Sequence, residues 1–476
     1  MPKILIDSHL KEVDNMDFSQ NYENLLKQMK FKREEGKVTH NNFKISPLLP
    51  FQTRHPERVK FDNGFKSILG EFTRLELNKS LIDDFDINQI IFDINNNPSV
   101  DAYGEEKFLE KLLKEYLFTE NNELNILNPY LFSYIPLSDN KQAIGEKDIA
   151  LFLRDIFCLD NYDLIKFFEK DKSPHPVINL ILNNIPQLND KETPVKYKSV
   201  LDNIVDLFNE DIEYAINYEN FLINDISNIF AYYYFFYTSQ LVLKLNDGVT
   251  TSIDDVEPLY YLLDWEIGAN KNRKTLKGYG WDLLKYKSYN LAAWISVVDQ
   301  LNILFGVDDY CLLGDIYEAF NQLSLHDQEE FLKYFKMWIK DYSDARGLED
   351  IILPDNFVEL VDILYKRLND ESGIGVEIRT SRYPLNLEEI ARAFFVKGRG
   401  KHGLVLNITR EMLLTLTTLC IKDKPIKLKQ LYKEYEKRGL FFDKYSKYEI
   451  EDFLTKLNLI DKKSDSGDAK YVRPIL

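Results

Sequence analysis

The spacing of apolar positions is helical along most of the chain. From about Leu77 to Leu368 apolar residues recur at i, i+3, i+4 and i+7, the interval that gathers side chains on one face of an α-helix. Phe108, Leu109, Leu112, Leu113 and Tyr116 form one stripe, Ile149, Leu151, Phe152, Ile156 and Phe157 a second, and Phe331, Leu332, Phe335, Trp338 and Ile339 a third. Ser173-Pro174-His175-Pro176 and Leu353-Pro354-Asp355 separate such stripes, because proline cannot continue a helix. No fixed period repeats, which disfavours a regular solenoid. Ahead of this region, residues 1 to about 45 are polar and weakly periodic, and Ile45-Ser46-Pro47-Leu48-Leu49-Pro50-Phe51 reads as an extended strip. Phe65, Ile68, Leu69, Phe72 and Leu75 then predict a first helix. Gly70 inside it costs about 1 kcal/mol against alanine, so a close backbone approach is expected there. Glu71 and Arg74, three apart, read as a surface ion pair. The run Phe230-Ala231-Tyr232-Tyr233-Tyr234-Phe235-Phe236-Tyr237 offers either base-stacking platforms or a helix buried on most sides with its phenols satisfied inside, and we favour the second.

The last seventy residues have a different grammar. Met412, Leu413, Leu416, Leu419 and Cys420 lie on one face of a helix that Thr409 can cap. Leu428, Leu431, Tyr432 and Tyr435 mark a second helix that Gly439 can close. A capping box at Ser446-Lys447-Tyr448-Glu449 opens a third, with Ile450, Phe453, Leu454 and Leu457 as its apolar stripe. Leu459-Ile460 and Tyr471-Val472 then flank a polar tip, as in a hairpin. Helix, helix, helix, hairpin is the order of a winged helix, a module that serves DNA or protein docking. Asn369-Asp370-Glu371-Ser372-Gly373-Ile374-Gly375 reads as a linker. The expected fold is therefore mainly α: an N-terminal segment at 1–76, a multi-helical body at 77–368, and a module at 376–476 ending in a winged-helix-like domain at 409–476.

Charge changes the picture. The chain has 476 residues and a formal net charge of −17, which argues against nucleic acid at first sight. Residues 376–476, however, hold 21 Lys and Arg against 14 Asp and Glu. A basic end on an acidic body fits a protein that touches phosphates at one end. Within that module the surplus lies almost wholly before residue 431, and the third helix carries Glu449, Glu451 and Asp452 beside Lys447 and Lys456. Those acids would face the phosphates of a major groove, so base reading by this helix is not expected. Hydrophobic content of 45% with 13% aromatic residues argues against disorder, and three scattered cysteines, Cys158, Cys311 and Cys420, suggest no disulfide framework and fit a cytoplasmic protein. No stretch is long and apolar enough for a membrane span, nor does the N-terminus resemble a signal peptide.

Candidate chemistry is sparse. Gly398-Arg399-Gly400-Lys401-His402-Gly403 matches G-x-G-x-x-G, but Leu387–Phe395 before it reads as a helix and Leu404–Ile408 after it as a strand, the reverse of a dinucleotide site. What remains is a glycine loop carrying Lys397, Arg399, Lys401 and His402, which is either a DNA-contact loop or a plain basic turn. Lys462 and Lys463 sit in the expected wing. Lys271-Asn272-Arg273-Lys274 to Trp281 is a basic loop in the acidic body, read as solvated, with a phosphate or partner contact as the other option. There is no P-loop, no zinc spacing among the six histidines, and no nucleophile elbow. Asp93 with Glu105, Glu106 and Lys107 could be cited for a nuclease, but no strand presents the acids. No cofactor and no catalytic residue are expected.

Two stretches resemble a known family. Phe51 with Phe61-Asp62-Asn63-Gly64-Phe65 and Gly70-Glu71-Phe72-Thr73-Arg74-Leu75 near one end, and Arg438-Gly439-Leu440-Phe441-Phe442-Asp443 with Ser464-Asp465-Ser466-Gly467-Asp468-Ala469-Lys470-Tyr471-Val472 at the other, are similar to the DNA phosphorothioation-dependent restriction protein DptG family. The resemblance implies a bacterial defence role, exercised with DptF-like and DptH-like partners that carry the nucleotide-hydrolysing chemistry, against DNA lacking the phosphorothioate mark. It also implies a chain without catalytic residues of its own. The expectation is a non-catalytic subunit that engages double-stranded DNA through its backbone, or alternatively a pure assembly adaptor whose winged helix docks a partner. The expected DNA contacts are Lys397, Arg399, Lys401, His402, Lys462 and Lys463.

Overall fold

The structure is a computed structural model, and it describes the chain apart from residues 1–16, 30–31, 35–36, 40–47, 51–58, 83–86, 98–99, 101–105, 120–123, 139–140, 160, 251–254, 267–272, 308–309, 371, 374–382, 401–402 and 463–469. The described residues are mainly α-helical with a few short strands. The predicted stripes at 108–116, 149–157 and 331–339 fall on helices Glu106–Leu117, Gln142–Leu153 with a π-helical turn at Arg154–Cys158, and Leu325–Arg346. Pro176 opens the helix Pro176–Asn184 at a position where its missing N–H costs nothing.

At the centre lies the helix Glu219–Asn246, which is buried continuously from Ile229 to Leu245. Its aromatic run satisfies its hydroxyls inside, as the sequence led us to expect. Tyr232 donates to the Arg438 carbonyl (2.5 Å), Tyr233 donates to Asp211 (2.5 Å), and Tyr237 accepts from the Val200 N–H (3.0 Å). Such bonds are what allow phenols into a core at all. Around this axis a single hydrophobic core runs from Phe18 to Val472, so the body and the C-terminal residues share it. A smaller core joins helices Ile87–Asn95, Glu106–Leu117 and Pro176–Asn184.

The first predicted helix spans Lys66–Glu76. A Cβ on Gly70 would lie 2.5 Å from the Ile135 carbonyl oxygen, which is the close approach that justifies glycine. The Glu71–Arg74 pair, expected at the surface, is instead an interior one. Arg74 is buried and also donates to the Ser133 and Ile135 carbonyls (2.9 and 2.7 Å), because the 129–135 turn covers it. Of the strip at 45–51, only Leu48–Pro50 is described, as a turn with all three residues buried.

Helices Arg410–Ile421, Leu428–Lys437 and Lys444–Lys456 follow in the C-terminal unit, with a three-stranded antiparallel sheet in which Lys470–Val472 lies between Ile426–Lys427 and Ile460–Lys462. Thr409 caps the first helix through its hydroxyl (3.2 Å to the Met412 N–H). Gly439, at φ +79°, closes the second, with Leu440 N–H on the Tyr435 carbonyl and Gly439 N–H on that of Glu436. The third helix differs from expectation. Its cap is Asp443, whose carboxylate accepts from the Tyr445 and Ser446 N–H groups (2.9 and 3.0 Å), so the Ser446–Glu449 capping box does not form. The Ser446 hydroxyl turns inward to Glu266 (2.8 Å) instead.

Candidate functional site

Val396–Gly398 pairs antiparallel with Leu404–Ile408, and that strand pairs parallel with Leu262–Leu263 of the body. The Arg399 N–H donates to the Gly403 carbonyl (2.8 Å) and closes the tip. The glycines therefore make a strand-to-strand turn with no helix behind them, which fits the rejection of a dinucleotide loop. Arg399 points inward: its Nη2 donates to the Leu263 and Asp264 carbonyls (2.8 and 2.9 Å) and to Asn407 Oδ1 (3.0 Å). A guanidinium whose two amino groups are turned onto carbonyls, with its Nε buried, has little left for a phosphate. Lys397 stays at the surface and pairs with Asp264. Lys401, His402 and Lys463 lie outside the described residues; Lys462 sits in the strand Ile460–Lys462.

Asp264 leads to a cluster the sequence did not single out. Its N–H donates to the Ile408 carbonyl (2.9 Å), which brings Trp265 beside Arg410, the first residue of the helix Arg410–Ile421. The Arg410 guanidinium lies over the Trp265 ring (5.2 Å to the centroid) and near that of Phe453 (5.9 Å), and the two rings are 4.8 Å apart. Phe453 comes from the third helix, so three segments distant in sequence meet here. Arg410 is exposed, and among the described residues no carboxylate pairs with it. Lys456, one turn beyond Phe453, is held by Asp452 (2.7 Å); that bond raises its pKa, and nearby Arg410 works the other way. Stacking on rings fixes the planar head of Arg410 without neutralising it.

In the other basic loop one residue proves structural. Arg273, predicted in a solvated loop, is buried: it pairs with Glu266 and Asp443 and donates to Ser446 (2.8 Å), while Lys271 and Asn272 lie outside the described residues. Burial works against the Asp443 charge, but the Arg273 bonds and the two backbone donors outweigh it and hold its pKa below the usual carboxylate range. The start of the third helix is thus clamped to the body, and this is the end that winged-helix readers turn toward bases. A second clamp joins Arg438, 1% exposed, to Asp211 through two bonds (2.6 and 2.8 Å). Asp93, cited for a nuclease, is exposed on the helix Ile87–Asn95 and accepts from Gln89 (2.8 Å), while Glu105 lies outside the described residues. Among the described residues no group of three or more His, Cys, Asp or Glu side chains is placed to hold a metal, and no helix is long and apolar enough to cross a membrane. Comparison with protein-family models and with curated proteins finds no match for this chain.

Proposed function

We propose that this chain is a non-catalytic subunit of a bacterial DNA phosphorothioation-dependent restriction complex of the DptG kind, and that it rests the surface around Arg410 on the backbone of double-stranded DNA while DptF-like and DptH-like partners hydrolyse nucleotide. The two stretches of sequence resemblance support the family. Helix, strand, helix, helix and two further strands, with the last strand central in the sheet, support reading residues 409–476 as a winged helix. The single observation that carries DNA engagement is Arg410, exposed, unpaired among the described residues, and steadied on Trp265 and Phe453.

Phosphate contacts of this kind position a protein without reading sequence. Each adds about 0.9 to the logarithmic salt slope of binding. Duplex affinity measured by anisotropy across a salt series should therefore fall in an Arg410→Glu, Lys397→Glu variant, with the slope reduced by about two. Unchanged affinity in that variant, or no salt-dependent duplex binding by the chain alone and with its partners, would remove DNA from the proposal. One observation favours the adaptor reading: Tyr448, 71% exposed on the third helix, is a ring of the sort that anchors protein interfaces. Loss of partner co-purification in Tyr448→Ala, with duplex affinity intact, would support that reading.

A further inference from the structure

Away from Arg410, three rings lie in a row on the surface. The segment Leu259–Tyr261 runs between two distant parts of the chain. On one side the Tyr260 N–H donates to the Tyr279 carbonyl (2.8 Å); on the other, Phe441 N–H donates to the Leu259 carbonyl (3.1 Å) and Tyr261 N–H to that of Phe441 (3.0 Å). This lacing sets the Tyr279, Tyr260 and Phe441 rings side by side, with successive centroids 6.3 and 5.9 Å apart. Tyr279 is 50% exposed, and the other two are half-buried. At the Tyr279 end opens a cleft of about 380 Å³, lined among others by Leu243, Leu283, Pro258, Glu257 and Lys287. Lys287 is already paired with Asp247, whereas the Glu257 carboxylate has no partner among the described residues. Lys274 and Lys277, one turn apart on the short helix leading to Tyr279, and Lys444, three residues beyond Phe441, are exposed and have no carboxylate partner among the described residues.

We propose that this row and its cleft bind the unpaired nucleotides of single-stranded nucleic acid. Bases lie on the Tyr279, Tyr260 and Phe441 rings, the lysines meet the phosphates, and one base enters the cleft. The inference rests on the reading that the chain engages nucleic acid, but it uses a different surface from Arg410. Spacing selects the strand form. The rings stand roughly twice the ~3.4 Å step of a stacked duplex apart, so consecutive paired bases cannot lie on them and a drawn-out strand can. Aromatic platforms with flanking cations are how single strands are held without regard to sequence. The cleft falls in the size range of small-molecule sites, and Glu257 can accept the amino hydrogens of a base edge that is exposed only when unpaired.

The test uses the full chain, a fluorescein-labelled single strand of about 16 nucleotides of mixed sequence, and the matching duplex. A Tyr279→Ala, Lys274→Glu, Lys277→Glu variant should bind the single strand about tenfold or more weakly while duplex affinity changes less than about twofold; Arg410→Glu should do the reverse. Leu283→Trp, which fills the cleft, should also weaken the single strand. Should Tyr279→Ala lower the melting temperature, the two exposed lysine reversals alone carry the comparison. Unchanged single-strand affinity in these variants, or equal loss on both probes, overturns the inference. Wild type binding duplex through Arg410 but not the single strand defeats this inference alone; single-strand binding with duplex binding indifferent to Arg410 defeats the earlier reading alone.

Discussion

Among the buried charged residues of this molecule, arginine is prominent. Arg74, Arg154, Arg273, Arg346 and Arg438 are all buried, and each spends its fork on carboxylates or backbone carbonyls. A planar, weakly hydrated head with five donors tolerates this, where a lysine ammonium would not. Two buried carboxyls are treated differently. Among the described residues Glu76 Oε1 and Asp299 Oδ2 have no hydrogen-bond partner. Burial pushes the Glu76 carboxyl up to about 8 and that of Asp299 up to about 7, the latter against a 2.6 Å bond from the Tyr310 hydroxyl. Both groups keep their proton in the folded chain at a pH where the unfolded chain has lost it, so the folded state binds more protons and stability falls as pH rises. The decline starts above the unfolded values near 4 to 4.5 and ends once pH passes the folded values of about 7 and 8. The unfolding free energy from urea titrations between pH 5 and 8 should drop in the wild type by at most about 1.4 kcal/mol per pH unit and group. The slope should be shallower in Glu76→Gln, Asp299→Asn; an identical slope would show that these carboxyls do not drive it.

At the scale of elements, glycine tests how tightly the C-terminal unit is fitted. A Cβ on Gly439 would stand 2.4 Å from the Phe236 ring at φ +79°, whereas Gly398 in the hairpin has a negative φ and nothing within 4 Å. Gly439→Ala should therefore cost about 2 kcal/mol or more and Gly398→Ala well under 1 kcal/mol, as read by denaturant midpoints. Loss of the same stability in both would mean that the contact with Phe236 is not what matters. Most of the elements were legible because their signals are local: the stripe at 331–339, the Thr409 hydroxyl and Gly439 each act within a few residues. Asp443 was missed as a cap because Ser446 and Glu449 fit the capping pattern equally well until Arg273 and Glu266 occupy Ser446 from outside. The site was less legible still. Whether Arg399 meets a phosphate or the Leu263 carbonyl depends on a partner 136 positions away. Strand pairing brings Trp265 to Arg410 and helix packing adds Phe453, and no spacing in the sequence announces either.

For the whole molecule, the two clamps decide whether body and C-terminal unit act as one. Arg438 and Asp211 are both buried, so removing one charge strands the other, at a cost of about 3–5 kcal/mol. Arg438→Ala should lower the unfolding free energy by that order. Hydrogen exchange should then show protection lost together in helices Glu219–Asn246 and Arg410–Ile421. Loss confined to the second helix would mean that the C-terminal unit opens by itself.

The fit of Gly439 against Phe236 also has a cost in time. Roughly 190 residues separate the end of the central helix from the glycine that covers it. At translation rates of about 5–20 residues per second, that face of the helix waits some 10–40 s for its lid. During this interval Tyr232 and Phe236, whose partners Arg438 and Gly439 are made later, leave an adhesive surface bare, and holding it apart falls to whatever chaperone meets the ribosome. Removing the segment that carries Gly439 should therefore harm the protein chiefly by leaving the Phe236 face of its central helix uncovered.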